Sequence, residues 1–509
     1  MSARDKIERL QQLFPGSVTE TQDPETGQVT LRVAPEQLHT ALQAALGDAY
    51  CSAEKTMLTQ VESYAFTWPG KTAARQQATA PVSVQFQPRP DLSKDPETTS
   101  NQLIIGDNLA ALKLLREGSG TDSLAGKVRL IYIDPPYNTG NAFIYPDNFR
   151  ESLRSYTARK PKTTDPEGQK AFDDDADHHG RIHADWLSFM LPRLIVARDL
   201  LREDGCIVIS IDEHELPNLW KLCEEVFGAE NFVECMVYDK KSSAKGVPPT
   251  KMIAGVHEYM LVFQRSSAFS FIGRPRSEEG FYNPDNDPRG PWRNTNCKST
   301  VKDPREAFDV EDPATGRRFR DVWAFSPAEM ARKAAAGELL FPKADGGQVR
   351  MKEYFNAFRN ANIPIKSSWG LYDAQYNTQY LTRLMGAKVF LNPKHIRLMR
   401  DLLAYTTQGN DIVLDFFGGS GTTADALLSL NAEDGHQRRF VLVQLDVPVE
   451  PSSAAGKAGY TTIADLCRDR INRAGAALKP AEAHPNWDGN VGYRVLDLGP
   501  PTPVDLKVD

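Results

Sequence analysis

The stretch that most constrains this chain is Val128–Ile133, an unbroken apolar run closed by Asp134-Pro135-Pro136-Tyr137-Asn138-Thr139-Gly140. Six β-favouring residues with no alternation read as a strand buried on both faces, as in a parallel sheet. Proline cannot donate to a sheet ladder, so the strand must end at the prolines and continue as a stiff loop. Asp134 is then held at the carboxyl edge of a sheet with an aromatic ring close behind it. In open α/β sheets that edge binds ligands.

The four residues suit one kind of chemistry. An exocyclic amine on a nucleobase is a poor nucleophile because its lone pair is delocalised into the ring. Asp134 and the Pro135 carbonyl can each accept one of its N–H bonds, which favours a more pyramidal nitrogen. Pro135 and Pro136 hold those acceptors still, and Tyr137 offers a face on which a flipped-out base can stack. The competing reading is a strand end whose Asp caps a turn.

A second motif weighs against that plainer reading. Ile412-Val413-Leu414-Asp415-Phe416-Phe417-Gly418-Gly419-Ser420-Gly421-Thr422-Thr423 is again a strand, followed by a glycine turn and a helix beginning near Ala424. Glycines let backbone N–H groups approach a ligand, and the helix start behind them favours a negative group. Gly419 to Ala424 also approaches the dinucleotide pattern Gly-x-Gly-x-x-Gly/Ala. Phe417-x-Gly419-x-Gly421 after a strand resembles instead the S-adenosyl-L-methionine site of methyltransferases.

Together the motifs resemble the amino-group DNA methyltransferases. Their order, Asp-Pro-Pro-Tyr first and the glycine turn after a long insert, resembles the β class. The neighbouring text resembles the Mod subunits of type III restriction-modification systems across residues 101–265 and 370–475. The resemblance implies N6-methylation of adenine in duplex DNA by base flipping, with S-adenosyl-L-methionine as cofactor. It places Asp134, Pro135, Pro136 and Tyr137 at the reacting amine. It places Asp107, Asn392, Lys394, Asp415, Phe416, Phe417, Gly419, Ser420, Gly421 and Thr422 around the cofactor. Gln444 or Asp446 would hold the ribose hydroxyls; alternation along a strand lets either serve. Asp107 has a competing role as a helix cap. A Mod-like chain would form a homodimer and could join a Res subunit, although a solitary enzyme fits equally well.

The fold implied is α/β: a Rossmann-like seven-stranded sheet of the methyltransferase type, in the order 3-2-1-4-5-7-6 with circularly permuted motifs. Strand 3 is assigned to residues 102–105, strand 4 to 128–133 and strand 5 to 206–211. A closing hairpin takes 232–238 and 258–263, strand 1 takes 412–415 and strand 2 takes 439–444. Strands 1 and 4 would then be neighbours where the order reverses, which is where a crevice opens.

The 509 residues suggest about three domain-sized units. The expected division is an N-terminal helical and linker region (1–100), a first catalytic half (101–265), a target-recognition domain (266–369) and a second catalytic half with a C-terminal extension (370–509). Within the first region residues 5–14 and 35–45 look helical, and 81–99 look like turns and linker. Residues 141–185 read as a polar loop near the site, or as plain surface. A strong amphipathic helix is expected over 187–201. Residues 266–364 lack strand–helix alternation and are rich in Pro, Gly, Arg, Asn and aromatics. They suit base reading, with an oligomerisation insert as the alternative. The resemblance implies that the helix over 395–405 packs along the cofactor's methionine end, and the tail from 479 is expected to be peripheral.

The net charge of −7 argues mildly against a sequence-blind nucleic-acid coat. Residues 240–302, however, carry eleven Lys and Arg against five Asp and Glu. Lys240, Lys241 and Lys245 are expected to contact phosphates, with Arg289 and Arg293 in the recognition insert. The six cysteines show no paired spacing for zinc or for a disulfide frame, and no metal is expected. With no membrane-length apolar run and no signal-like N-terminus, a cytoplasmic protein is expected.

Three functions compete. The first is an adenine-N6 DNA methyltransferase. The second is a cytosine-N4 or RNA amino methyltransferase, although cytosine-N4 enzymes more often carry Ser where Asp134 stands. The third is a catalytically idle DNA-recognition subunit, against which intact Asp134, Tyr137 and Gly421 speak.

Overall fold

The computed structural model describes residues 18–22, 29–33, 65–118, 122–139, 173–242, 253–300, 306–344, 346–358 and 361–500. The helices expected over 5–14 and 35–45, most of the loop expected over 141–185, and Lys245 lie outside them. The chain divides into two compact units at Trp68 and Pro69. In the first, β1 (Val18–Gln22) and β2 (Val29–Val33) form an antiparallel pair with Val18 opposite Val33.

The second unit is built on one large sheet. In chain order it contains α1 (Lys71–Thr79), β3 (Gln85–Pro88), β4 (Gln102–Ile105), α2 (Asn108–Glu117), β5 (Val128–Ile133), α3 (Asp173–Leu200), β6 (Leu201–Ile211), α4 (Leu216–Phe227), β7 (Phe232–Asp239) and β8 (His257–Gln264). An insert follows with β9 (Trp292–Asn296), β10 (Phe308–Glu311), β11 (Arg318–Asp321), α5 (Pro327–Ala335), β12 (Leu339–Leu340) and β13 (Arg350–Tyr354). The chain then returns through β14 (Ser368–Leu371), α6 (Ala374–Met385), α7 (Ile396–Thr406), β15 (Ile412–Asp415), α8 (Thr422–Asp434), β16 (Arg439–Gln444), α9 (Ile463–Ala477) and β17 (Arg494–Gly499).

The sheet runs β14-β7-β8-β6-β5-β15-β16-β4-β17-β3. The seven strands assigned from sequence lie side by side in it, in the order 3-2-1-4-5-7-6. Parallel pairing joins β4, β16, β15, β5 and β6, and β8 runs antiparallel to both β6 and β7. β5 is buried along its whole length, because helices cover both faces. α1, α2 and α4 pack around α3; α7 and α9 pack against α8.

Three strands extend the sheet beyond the expected seven, and two of them correct the sequence reading. The tail is not peripheral: β17 pairs parallel to β4 and antiparallel to β3. Val495 and Leu496 are buried there. The stretch read as linker contains β3, and its Pro88 is tolerable because β3 is the sheet's last strand. α3 also departs from the expected amphipathic helix. It begins at Asp173, contains Pro192, and from Trp186 to Leu194 has no exposed residue. It is therefore a central helix with neighbours on every side rather than a surface one.

Residues 266–369 do not join the sheet until β14. Their strands form a three-stranded sheet in the order β12-β13-β9 and a separate β10–β11 hairpin. Cys297, Val310, Trp323, Met330, Leu339 and Val349 give this region a small core of its own. No helix among the described residues is long and apolar enough to cross a membrane.

Candidate active site

Four neighbouring parallel strands end in a row, in the order β5, β15, β16 and β4. Asp134 follows β5, the glycine turn follows β15, Gln444 closes β16 and Asp107 follows β4. Residues far apart in sequence are thus brought to one sheet edge, because parallel strands joined by right-handed crossovers all end on the same side.

The Asp-Pro-Pro-Tyr loop is held by its neighbours. Trp186 Nε1, on α3, donates to the Pro136 carbonyl at 2.8 Å. Asn138 takes a positive φ of 58° and donates to Glu215. Glu215 is fully buried and also lies 2.6 Å from His183 Nδ1. Asn tolerates this backbone conformation better than most residues, so the turn after Tyr137 is fixed by a side chain that suits it.

Asp134 remains 31% exposed at the side chain. Tyr137 Oη donates to Asp134 Oδ1 at 2.8 Å. The ammonium of Lys394, in the stretch before α7, lies 3.1 Å from the same oxygen. It also reaches Glu258 Oε2 at 2.8 Å and Tyr238 Oη at 3.2 Å, and it donates to Tyr137 Oη. Burial raises the Asp134 carboxyl above its ordinary range, and Lys394 opposes this. Burial also works against the charge on Glu258, but Lys394 and Tyr238 hold it down at about 2. For Lys394 burial disfavours the charge, yet the surrounding acids keep it protonated. Lys394, expected beside the cofactor, is therefore placed against Asp134 and Glu258. Its backbone is pinned there by Asn377, which donates to the Pro393 and Lys394 carbonyls at 2.8 and 2.5 Å.

The glycine turn is braced from three directions. Gly419 takes φ 52° and Gly421 φ 81°. A Cβ on Gly421 would lie 3.1 Å from Cys467 Sγ and 3.2 Å from its carbonyl oxygen, so α9 packs too closely for a side chain there. Gly419 N–H donates to Gln444 Oε1 at 2.6 Å, while Gln444 Nε2 donates to the Leu445 carbonyl. Both ends of the Gln444 amide are thus occupied in shaping the turn, whereas Asp446 is exposed. Arg470, on α9 and fully buried, donates from Nη1 to Ser420 Oγ at 2.8 Å and Thr422 Oγ1 at 2.7 Å. Its other side pairs with Asp425 at 2.9 Å.

The space in front of the turn suits the expected cofactor. A Cβ on Gly419 would meet nothing nearer than the Phe417 carbonyl at 3.7 Å and the edge of Phe390 at 3.8 Å. Phe390 and Phe417 border the turn with apolar groups, as an adenosine requires. On the far side Asp107 caps α2 by accepting from Ala110 N at 2.8 Å, and its second oxygen pairs with Arg193 at 3.1 Å. Arg193 Nε donates to Asn108, whose amide donates to the Phe416 carbonyl at 2.9 Å. This chain of bonds ties the exit of β4 to the exit of β15. Asn392, with φ 49°, and Leu391 are exposed beside Lys394.

Asp415, 3% exposed, accepts from Phe417 N at 3.0 Å and Thr423 Oγ1 at 2.5 Å. Burial lifts its carboxyl to about 7 in spite of those bonds. A carboxyl raised in the folded state holds its proton more tightly there than in the unfolded chain. Its contribution to stability is whole below about pH 4 and is lost as pH rises through about 7. Asp415→Asn is expected to remove a fall in unfolding free energy of roughly 4 kcal/mol between those limits. Denaturant titrations across that range check it; an equal fall in the variant would contradict the assignment.

Of the residues expected at DNA, Lys240 is drawn inward, its ammonium 3.0 Å from Glu258 Oε1. Lys241 is exposed. Arg289 forks onto Asp287 at 2.8 and 2.7 Å and lies over the Tyr354 ring. Arg293 pairs with Glu353 and lies over Phe281. Both arginines thus hold the insert's own fold together. Sequence reasoning missed Glu258, Tyr238, Arg193, Asn108, Glu215 and Arg470. A buried charge looks like any surface charge in sequence, and the partners of these residues lie in distant segments.

A sequence profile of the N6/N4 DNA methylases matches residues 128–446, from the first strand motif to the end of the β16 exit. The chain belongs to this family. The family match bears out the resemblance read from the two motifs. The Mod subunit of the type III restriction-modification enzyme StyLTI of Salmonella typhimurium is 31% identical over 81% of this chain and 62% of its own length. The chain thus spans about six-tenths of that relative. The type II methyltransferase M.KpnI of Klebsiella pneumoniae is 30% identical over 74% of this chain and 88% of its own. Among solved structures, the cytosine-N4-specific PvuII DNA methyltransferase aligns with 74% of the chain at 14% identity and a TM-score of 0.35. As an N6/N4 DNA methylase the chain is expected to draw on S-adenosyl-L-methionine, and the open, braced glycine turn fits that cofactor.

Proposed function

We propose that this N6/N4 DNA methylase transfers a methyl group from S-adenosyl-L-methionine to N6 of adenine in duplex DNA. The observation that carries the reading is the pairing of β5 with β15, which puts Asp134 and the glycine turn on adjacent strand ends. S-adenosyl-L-methionine, when bound, supplies an electrophilic sulfonium methyl. The protein's part is to hold an amine against it. Asp134 accepts one N–H, the Pro135 carbonyl accepts the other, and Tyr137 gives the base a face. Trp186 and Glu215 keep that loop from relaxing. Positioning accounts for most of the rate. Asp415, Gly419, Ser420, Gly421 and Thr422 shape the cofactor side, and Asp446 rather than Gln444 takes the ribose.

Methyl transfer from labelled S-adenosyl-L-methionine to unmethylated genomic DNA, with analysis of the modified base, tests this. N6-methyladenine is expected. N4-methylcytosine would move the reading to the other amine of the family, and no product with DNA and cofactor both bound would favour an idle recognition subunit.

The insert over 266–369 is the natural base-reading region, and the link after β7 is the natural phosphate contact. Lys241→Gln is expected to reduce the slope of log affinity against log salt by about one; an unchanged slope would remove Lys241 from the interface. A homodimer, a Res partner and a cytoplasmic setting complete the proposal, supported by the likeness to a Mod subunit.

A further inference from the structure

The charged cluster around Lys394 has a property that the transfer reaction by itself does not explain. The ammonium occupies the carboxylate oxygen and the hydroxyl that border the amine subsite. It lies 3.1 Å from Asp134 Oδ1, and it sits off the hydroxyl edge of Tyr137, 4.9 Å from the ring centroid, while donating to the hydroxyl. An ammonium and an aryl amine are both N–H donors, and Oδ1 already accepts from Tyr137 and Lys394, so an amine aimed at that oxygen must displace one of them.

A second acceptor is already in place. Glu258 Oε2 is 2.8 Å from the same nitrogen, and Tyr238 Oη is 3.2 Å away. The other Glu258 oxygen is held by Lys240 at 3.0 Å, and Tyr238 donates to Oε2. Asn377 fixes the Lys394 backbone, so a transfer between acceptors needs only side-chain rotation about the flexible four-carbon stem.

We propose that Lys394 is a displaceable counter-ion, which occupies the amine subsite of Asp134 until the target base arrives and then withdraws onto Glu258. This rests on the reading of Asp134 as acceptor of the target amine. The device solves a problem of burial. A desolvated carboxylate with no counter-charge takes up a proton, which turns one of its acceptor oxygens into a donor and weakens the other as an acceptor. Asp134 faces Tyr132 on β5, Tyr137 on its own loop, Tyr238 on β7, Glu258 on β8 and Asp415 on β15. None of these is a cation; Glu258 pushes its proton affinity up, and Asp134 in turn raises that of Asp415. Lys240 faces Glu258 rather than Asp134. Lys394 is the cation that opposes proton uptake by Asp134 in the base-free enzyme. Lys394 is thus a positioning residue, acting through Asp134.

The test uses the full-length protein and a duplex carrying the site mapped from genomic methylation. kcat/KM reports groups of the free enzyme and kcat those of the base-bound complex. In Lys394→Met the acid limb of kcat/KM is expected to move to higher pH by about one unit or more, a tenfold change in proton affinity. The limb of kcat should move less, because Lys394 has already withdrawn there. Glu258→Gln removes the refuge: KM for DNA is expected to rise about tenfold, with the acid limb unmoved or shifted to lower pH. A merely structural role would scale both constants and leave the limbs in place.

An unmoved acid limb in an active Lys394→Met enzyme overturns the proposal. Should that variant not fold, an unchanged KM for DNA in Glu258→Gln overturns it instead. An active Asp134→Ala enzyme would sink the reading of Asp134 itself. An inactive Asp134→Ala beside an unmoved Lys394→Met limb would sink the counter-ion alone.

Discussion

Asp134→Ala is expected to lower methyl transfer to DNA by about a thousandfold or more, with cofactor affinity changed by less than about threefold. The substitution removes the acceptor that aligns the amine, and no other carboxylate can take its place. Glu258 is tied to Lys394, Lys240 and Tyr238, and Asp415 is tied to Thr423 and the Phe417 amide. The cofactor side should be spared because Gly419, Ser420 and Thr422 are held by Gln444 and Arg470. Label transfer to DNA and calorimetric titration with S-adenosyl-L-methionine measure the two halves separately. Wild-type transfer by the variant would show that Asp134 only caps the strand end. Equal loss of cofactor binding would show that it supports the crevice as a whole.

Arg470→Met is expected to cost about 3–5 kcal/mol of stability and to weaken cofactor binding at the same time. Arg470 is fully buried, and so, at 2% exposure, is Asp425. Burial already raises the Asp425 carboxyl, with Arg470 opposing it. Removing the guanidinium leaves that carboxylate with the Tyr380 hydroxyl, at 3.0 Å, and the charge of Arg400. The double variant Arg470→Met with Asp425→Leu should recover much of the stability, because no lone charge then remains. It should not recover cofactor affinity, because Ser420 and Thr422 have still lost their brace. Denaturation and binding on the three proteins separate the two roles. Full recovery of both in the double variant would mean that Arg470 acts only through its ion pair.

Much of the site was legible because its backbone features are local. Proline ends a strand wherever it stands, and Pro135 and Pro136 did so at the residue expected. Glycine at Gly419 and Gly421 marks a turn of positive φ without reference to any neighbour. The two runs around Ile131 and Leu414 read as buried strands because apolar content without alternation has few other solutions. The strands at the far end of the sheet were harder. β3 is short and contains Pro88, and β17 carries Asp497 on a half-covered face, so neither stood out from linker.

The sequence by itself determined that two buried strands end in reactive loops, one carrying a carboxylate and a ring, the other a glycine turn, and from these the family followed. The tertiary structure decided which charges serve them. Lys394 stands against Asp134 and Glu258, Gln444 braces the glycine turn, Lys240, Arg289 and Arg293 pair with acidic residues of the chain, and Arg470 lies buried beneath the turn. Backbone limits such as those of proline and glycine act within a few residues and can be read along a chain. The position of a charge is set by desolvation and by whichever counter-charge the fold brings within about 3 Å, and for Lys394 that was Asp134 and Glu258.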